Sequence, residues 1–170
     1  MSQKEKQRGD NLSGNRMLTD AGQAVLFVLF ITVWITDLAL HYADFPTTYI
    51  TPFVRIPLAA IFFLVAVYMA VNGMSAIYRM QSGNPGVIRT GVFRLVRHPV
   101  YLAEILLYLG FLMVNISLAA VAVWLITIAF LHYISCCEEK TLSAHFGDEY
   151  TRYRAEVPMW LPFPRTKQKT

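Results

Sequence analysis

Long apolar runs alternate with short polar stretches along this chain, and the apolar runs have the lengths of membrane helices. The runs at 21–40 and 58–78 are each about twenty residues long, which matches one crossing of a bilayer. Two shorter runs, 100–116 and 118–134, are interrupted only at 115–117. One continuous helix through both would be far longer than the bilayer is thick. We therefore predict a tight helical hairpin.

The stretches outside these runs are polar or amphiphilic. Residues 1–20 cannot bury a core, so we predict a mobile N-terminal tail, followed by a single membrane domain at 21–170. Apolar side chains recur every three or four residues over 138–154, which predicts a surface helix with a weak point at Gly147. The predicted fold class is an all-α integral membrane protein. It has about four transmembrane helices, including a C-terminal hairpin, and a cytoplasmic surface helix after them.

Composition supports a membrane location, and the distribution of basic residues predicts the orientation of the chain in the membrane. Apolar residues make up 55% of the chain and charged residues 15%, whereas soluble domains average about 25% charged residues. Of the 15 lysines and arginines, all but Arg55 fall on one predicted side of the membrane. Because basic residues are enriched in cytoplasmic loops, we predict a multi-pass protein with both termini in the cytoplasm.

The two cysteines, Cys136 and Cys137, are neighbours in the chain. Neighbours seldom satisfy disulfide geometry, so we expect reduced thiols on the cytoplasmic face. S-palmitoylation beside a membrane helix stays open as an alternative to an unmodified pair. No second pair of ligands has a spacing suited to zinc, and we predict no metal site.

Two polar clusters flank the predicted hairpin. The first is the Arg-His-Pro-Val-Tyr run at 97–101, and the second contains Glu138 and Glu139. Folding the hairpin near Ile116 brings the two clusters to the same end of the bundle. We therefore expect a site at the cytoplasmic membrane surface, built from the regions 79–99 and 135–164.

Glu104 is the most unusual residue of the hairpin, because it lies about one turn inside an apolar helix. It shares a helix face with Tyr101 and Tyr108, at steps of three and four. An intramembrane carboxylate is unfavourable unless it faces water or a partner. We expect Arg97, Tyr101 or His132 to be that partner. Arg97, Glu104 and His132 are the candidate catalytic residues, although Arg97 could simply mark the membrane border and His132 could be a packing residue.

The polar motifs together carry a family resemblance. The segment 91–101, the pair Glu138 and Glu139, and the run 146–158 resemble the isoprenylcysteine carboxyl methyltransferase family, which is grouped with phospholipid N-methyltransferases. The resemblance implies S-adenosyl-L-methionine-dependent methyl transfer to a lipophilic carboxylate, amine or thiol that enters from the bilayer. It also implies a cofactor site made of these residues: Arg97, His98, Pro99, Tyr101, Glu138 and Glu139. Phe146 or Tyr150 is expected to pack on the adenine.

Two other functions stay open. Membrane sterol and steroid reductases, which use NADPH, show a similar C-terminal pattern, but they usually have more helices and a longer chain. A non-catalytic membrane scaffold would bind no cofactor. The expected partners are membrane lipids and a lipophilic small-molecule or lipid substrate, without nucleic acid. The sequence fixes neither the substrate nor the oligomeric state.

Overall fold

The computed structural model describes residues 3–42, 51–81 and 86–161, and the regular structure within these ranges is helical. A short 3-10 turn at Gly91–Arg94 precedes the third α-helix. The α-helices in chain order are α1 (Gln3–Leu40), α2 (Pro52–Gln81), α3 (Pro99–Val114), α4 (Leu118–Phe146) and α5 (Asp148–Glu156).

Three helical stretches are long and apolar enough to cross a membrane: Thr19–Leu40, Pro52–Met80 and Leu118–Phe146. The helix α3 is apolar too but has only 16 residues. The protein is therefore an all-α integral membrane protein in contact with lipid, and the predicted fold class is confirmed.

Helix boundaries differ from the expected ones at both ends of the chain. The helix α1 begins at Gln3, so it includes most of the polar stretch ahead of the first apolar run. The helix α4 continues past the expected end near residue 134 to Phe146, because no glycine or proline interrupts it. Gly147 ends it with φ 54° and ψ −127°, a conformation that favours glycine. The expected surface helix is thus split between the end of α4 and α5.

Helix pairing sets the hairpin in place. The helix α2 packs along α3, α1 packs along α4, and α3 returns into α4 through a short turn. A Cβ on Gly110 of α3 would lie 2.7 Å from the ring of Phe63 on α2. Only glycine therefore allows this close approach. The interior between α1, α3 and α4 is filled by one apolar cluster, whose buried members are Phe30, Tyr108, Leu112, Ala120 and Val123.

The last carbonyl groups of α3 accept hydrogen bonds from side chains of α1 and α2. Arg55, which is 7% exposed, donates from Nε to the carbonyl oxygen of Met113 at 3.0 Å and from Nη2 to that of Val114 at 2.6 Å. Trp34 donates its indole N–H to the carbonyl oxygen of Phe111 at 3.0 Å. The last carbonyls of a helix lack partners within the helix, and lipid cannot supply any. These donors let α3 end inside the apolar bundle.

Candidate functional site

Glu139 is the centre of a buried polar cluster at the end of α4. Its side chain is 3% exposed, and Oε1 lies 2.9 Å from Nε of Arg97. The same oxygen lies 3.4 Å from Nε2 of His98. Oε2 lies 3.2 Å from Nε of Arg154 on α5. One carboxylate thus joins the segment before α3 to α4 and α5.

Glu138 is the outer member of the cluster, with a side chain that is 41% exposed. The Tyr101 hydroxyl donates a hydrogen bond of 2.6 Å to its Oε1. His98 stands at the N-cap of α3 without a side-chain capping bond, and Pro99 is at the first helical position. The imidazole stacks on the Tyr101 ring at 5.6 Å and 2°. The His98 side chain faces the two glutamates of α4, with Nδ1 3.6 Å from Glu138 and Nε2 3.4 Å from Glu139.

The segment 157–161 crosses over this cluster after α5. The Arg97 backbone N–H donates to the carbonyl oxygen of Pro158 at 3.0 Å. Trp160 donates its indole N–H to Nδ1 of His132 at 3.2 Å, and its ring lies 5.9 Å from the His98 ring. Because Nδ1 accepts, the ring proton of a neutral His132 is on Nε2, which lies 3.8 Å from Sγ of Cys136.

Two cavities adjoin the cluster, and Tyr153 borders both. The first has a volume of about 120 Å³ and a mostly apolar lining that includes Phe93, Arg97, Phe146 and Tyr150. The second has a volume of about 240 Å³ and is lined by Arg89, Arg94, Tyr153, Glu156 and Val157. An apolar space therefore lies beside a polar space lined by two arginines and Glu156, and Nη1 of Arg89 lies 3.6 Å from Oε2 of Glu156.

The two tyrosines of α5 stay protonated at neutral pH. Burial, with the nearby Glu139 carboxylate adding to it, raises the pKa of Tyr150 to about 12. Burial also raises the pKa of Tyr153, and the neighbouring Tyr150 adds to the shift. The Tyr153 hydroxyl donates to the carbonyl oxygen of Phe93 at 2.8 Å. Both phenols therefore act as neutral groups beside the cavities.

The expected catalytic residues do not form one group. Arg97 belongs to the buried cluster. Glu104 accepts a hydrogen bond of 3.1 Å from the Tyr108 hydroxyl, which was not among its expected partners. His132 lies on an exposed part of α4, where Trp160 contacts it.

The expected cofactor-binding residues fall into two adjoining groups. His98, Tyr101, Glu138 and Glu139 meet in the cluster, with Pro99 starting the helix that presents them. Phe146 and Tyr150 line the apolar cavity, and Arg97 belongs to both groups. The convergence of the two motifs across the hairpin is thus as predicted, while the functional roles of these residues stay predictions.

Sequence reasoning missed three contributors: Arg89, Arg154 and Trp160. Arg154 contacts Glu139 from α5, and Arg89 places its guanidinium carbon 5.6 Å from the centre of the Tyr153 ring. Trp160 covers the cluster, with its indole N–H on His132 and its ring beside His98. The only signal for this position was a tryptophan in a proline-bounded segment next to the second motif.

Comparison with known proteins identifies the family. A family model described as 3-oxo-5-alpha-steroid 4-dehydrogenase matches residues 15–161 of the 170-residue chain. The match covers most of α1 and all of α2 to α5. No curated protein and no solved structure matches the chain.

The resemblance to the isoprenylcysteine carboxyl methyltransferase family is therefore wrong. The steroid-family match spans the segments 91–101 and 146–158 on which that resemblance rested. Three predictions that depended on it are wrong as well. They are S-adenosyl-L-methionine as the cofactor, methyl transfer as the reaction, and a carboxylate, amine or thiol as the methyl acceptor. The motifs specify a cluster of charged and aromatic groups, which suits more than one nucleoside-containing cofactor. The short chain does not exclude this family, because the family model matches residues 15–161 of it. The chain belongs to the 3-oxo-5-alpha-steroid 4-dehydrogenase family.

Proposed function

We propose that this protein is a membrane reductase that uses NADPH to reduce a carbon–carbon double bond conjugated to a ketone in a lipophilic, steroid-like substrate. The family description names a 3-oxo steroid and hydrogen transfer at carbon 4. Members of this family use NADPH. The observation that carries the proposal for this chain is the pair of cavities around Tyr153, one apolar and one lined by arginines.

The chemistry of the two cavities fits a phosphorylated dinucleotide. Arg89 and Arg94 border the larger cavity, and guanidinium groups are planar cationic donors that phosphate groups favour. Because Arg89 already pairs with Glu156 at 3.6 Å, Arg94 is the proposed main donor to a phosphate group. Phe146 and Tyr150 border the apolar cavity and supply faces for an aromatic ring. When bound, NADPH supplies the hydride of the reduction.

The buried cluster is proposed to hold the remaining polar groups of the cofactor. The Glu138 carboxylate, at 41% exposure, accepts from Tyr101 and is open to ribose hydroxyls as well. His98 and Tyr101 present parallel rings beside it. Glu139 and Arg97 neutralise each other and fix the position of both motifs. Pro99 holds the helix start from which His98 projects.

The catalytic roles are proposed for groups near the start of the hairpin. Glu104 lies deeper in α3 than the cluster and is the proposed proton donor, because reduction of the double bond consumes one proton with the hydride. Arg97 is proposed to orient the cofactor. His132 is proposed as a positioning residue, since it holds Trp160 over His98.

The cluster end of the bundle is proposed to face the cytoplasm. Arg79 is in the last turn of α2, and Arg89, Arg94 and Arg97 lie between α2 and α3, whereas Arg55 lies at the other end of α2. Basic residues near helix ends favour the cytoplasmic side. The substrate, by its lipophilic character, would reach the site from the bilayer.

Ligand binding to the full chain in detergent tests the proposal. We expect saturable binding of NADPH, and no competition by S-adenosylhomocysteine. Addition of a 3-oxo-4-ene steroid should then oxidise NADPH and give the saturated ketone. Failure to bind NADPH would contradict the proposal and favour a non-catalytic membrane protein.

A pair of arginine variants tests the location of the phosphate site. Arg94→Gln removes a guanidinium from the larger cavity, while Arg152→Gln removes one from an exposed position of α5 outside the cavity lining. One charge-assisted hydrogen bond is worth about 1.5–3 kcal/mol, so we expect NADPH binding to be weaker by at least about tenfold for Arg94→Gln. The Arg152→Gln variant should bind nearly as the wild type. Equal affinities would remove Arg94 from the site.

A further inference from the structure

Hydroxyl and carboxyl groups form a stripe along one face of α3. Tyr101, Glu104 and Tyr108 follow one another at steps of three and four in an otherwise apolar helix. Seven residues of helix span about 10 Å, so the stripe leads from the polar cluster well into the apolar bundle. Ionisable groups at such depth are typical of proton pathways and substrate sites.

The outer end of the stripe is connected to water. The Tyr101 hydroxyl donates a hydrogen bond of 2.6 Å to Oε1 of Glu138. The Glu138 side chain is 41% exposed. A proton taken up by this carboxylate can therefore reach the Tyr101 hydroxyl along an existing hydrogen bond.

The inner end of the stripe is fixed by packing. The Tyr108 hydroxyl donates to Oε1 of Glu104 at 3.1 Å. Tyr108 itself is fully buried, and its ring stacks on Phe30 of α1 at 4.2 Å and 19°. The phenol cannot turn away without disturbing the apolar cluster, so it holds the Glu104 carboxyl in one orientation.

We propose that Glu138, Tyr101 and Glu104 form a proton path from the aqueous surface into the membrane part of the site, with Tyr108 as the positioning residue. The inference rests on the proposed reductase function, because that reaction consumes a proton that lipid cannot supply. NADPH, when bound, would supply the hydride to one carbon of the conjugated double bond and would be oxidised to NADP⁺. The O–H bond of Glu104 breaks as a C–H bond forms on the neighbouring carbon, which leaves a Glu104 carboxylate.

Recovery of the Glu104 proton completes the cycle. Tyr101 and Glu104 are one helical step of three residues apart, about 4.5 Å along the axis. One intervening water is the proposed link between the two side chains. Tyr101 passes its proton to the Glu104 carboxylate and takes another from Glu138, which exchanges with the solvent.

Infrared spectroscopy of the full chain without cofactor tests the path independently of the reaction. Exchange from H₂O into D₂O shifts the band of a protonated carboxyl group, and Glu104→Gln identifies which band belongs to Glu104. We expect Tyr101→Phe to slow the exchange of that band at least tenfold. Tyr68→Phe, on an exposed face of α2, is the matched control and should leave the rate unchanged. An unchanged rate in Tyr101→Phe, or the absence of any Glu104 band, would overturn the path.

Turnover in H₂O and D₂O at saturating NADPH gives a second readout. The first hydride transfer in Tyr101→Phe should keep close to the wild-type rate, because Glu104 already holds its proton, whereas later turnovers should be more than tenfold slower with an enlarged solvent isotope effect. Tyr108→Phe should slow the first turnover as well, because Glu104 loses the hydrogen bond that orients it. Unchanged rates and isotope effects in both variants would also overturn the path. A wild type that exchanges Glu104 through Tyr101 but does not bind NADPH would instead contradict the reductase function alone.

Discussion

Nε of Arg97 lies 2.9 Å from Oε1 of Glu139, and the side chains are 5% and 3% exposed. The whole hairpin of α3 and α4 separates the two residues in the chain. The ion pair therefore forms only when the two helices stand in the correct register. Because Arg154 and His98 meet the same carboxylate, Glu139 is the residue on which the geometry of the cluster depends.

Replacing Glu139 by glutamine should destabilise the fold strongly. The change removes the carboxylate charge that lies 2.9 Å from the buried Arg97 guanidinium, and breaking a buried ion pair lowers the free energy of unfolding by about 3–5 kcal/mol. Glu138→Gln is the matched control, because its side chain is 41% exposed and exposed pairs contribute about 1 kcal/mol or less. Denaturant unfolding in detergent measures both. Equal losses in the two variants would contradict a special role for Glu139.

The meeting of the two motifs was predictable because it depends only on hydrophobic run length and a short turn. The runs on either side of 115–117 are too long together for one helix, and antiparallel pairing then brings Arg97 and His98 to the level of Glu138 and Glu139. The helix bounds were less predictable. The polar residues after 134 mark the membrane border, but none of them breaks a helix, so α4 runs on until Gly147.

Contacts that depend on α5 and the following segment could not be predicted from the sequence. Arg154 reaches Glu139, and Trp160 reaches His132, only because Gly147 turns the chain back over the cluster. The predicted hydrogen-bond partners of Glu104 were wrong for a similar reason. Tyr108 was predicted on the same helix face as Glu104, but its hydroxyl is directed toward Glu104 by the packing of its ring against Phe30.

Gly147→Ala should destabilise the junction between α4 and α5 through the backbone alone. A Cβ there would meet nothing within 4 Å, but φ is 54°, and such strained conformations cost non-glycine residues about 1–3 kcal/mol. Gly86→Ala is the control, because it also meets nothing and has no positive φ. Thermal unfolding should show a loss for Gly147→Ala alone. Equal stabilities would show that the turn adapts freely.

Arg55→Met should weaken the bundle at the end opposite the cluster. The variant leaves the carbonyls of Met113 and Val114 without their donor, and each hydrogen bond to a charged group contributes about 1.5–3 kcal/mol. For the two bonds together we expect a loss of about 3–6 kcal/mol in the free energy of unfolding. Arg79→Met, at an exposed position of α2, should change it by less than about 0.5 kcal/mol. Similar values for the two variants would contradict the capping role of Arg55.

Trp160→Phe should loosen the segment 157–161 while keeping an aromatic ring near His98. Only the N–H that donates to Nδ1 of His132 is lost, and a neutral hydrogen bond contributes about 1 kcal/mol. Amide exchange followed by mass spectrometry should therefore be about fivefold faster in this segment and at the Arg97 N–H, which donates to Pro158. Exchange at the far end of α3 is the internal control. An unchanged rate at Arg97 would show that Trp160 does not secure the segment.

The donors that Arg55 and Trp34 aim at the final carbonyls of α3 also bear on how deep the hairpin sits. Because side chains already donate hydrogen bonds to the last carbonyls of α3, this helix end does not have to reach the opposite headgroup layer to satisfy them. Ser117 at the tip is fully buried, so a water-soluble label applied from that side would not reach it. The pair α3 and α4 can thus dip into the bilayer as a re-entrant element and still return the chain to the leaflet from which it came.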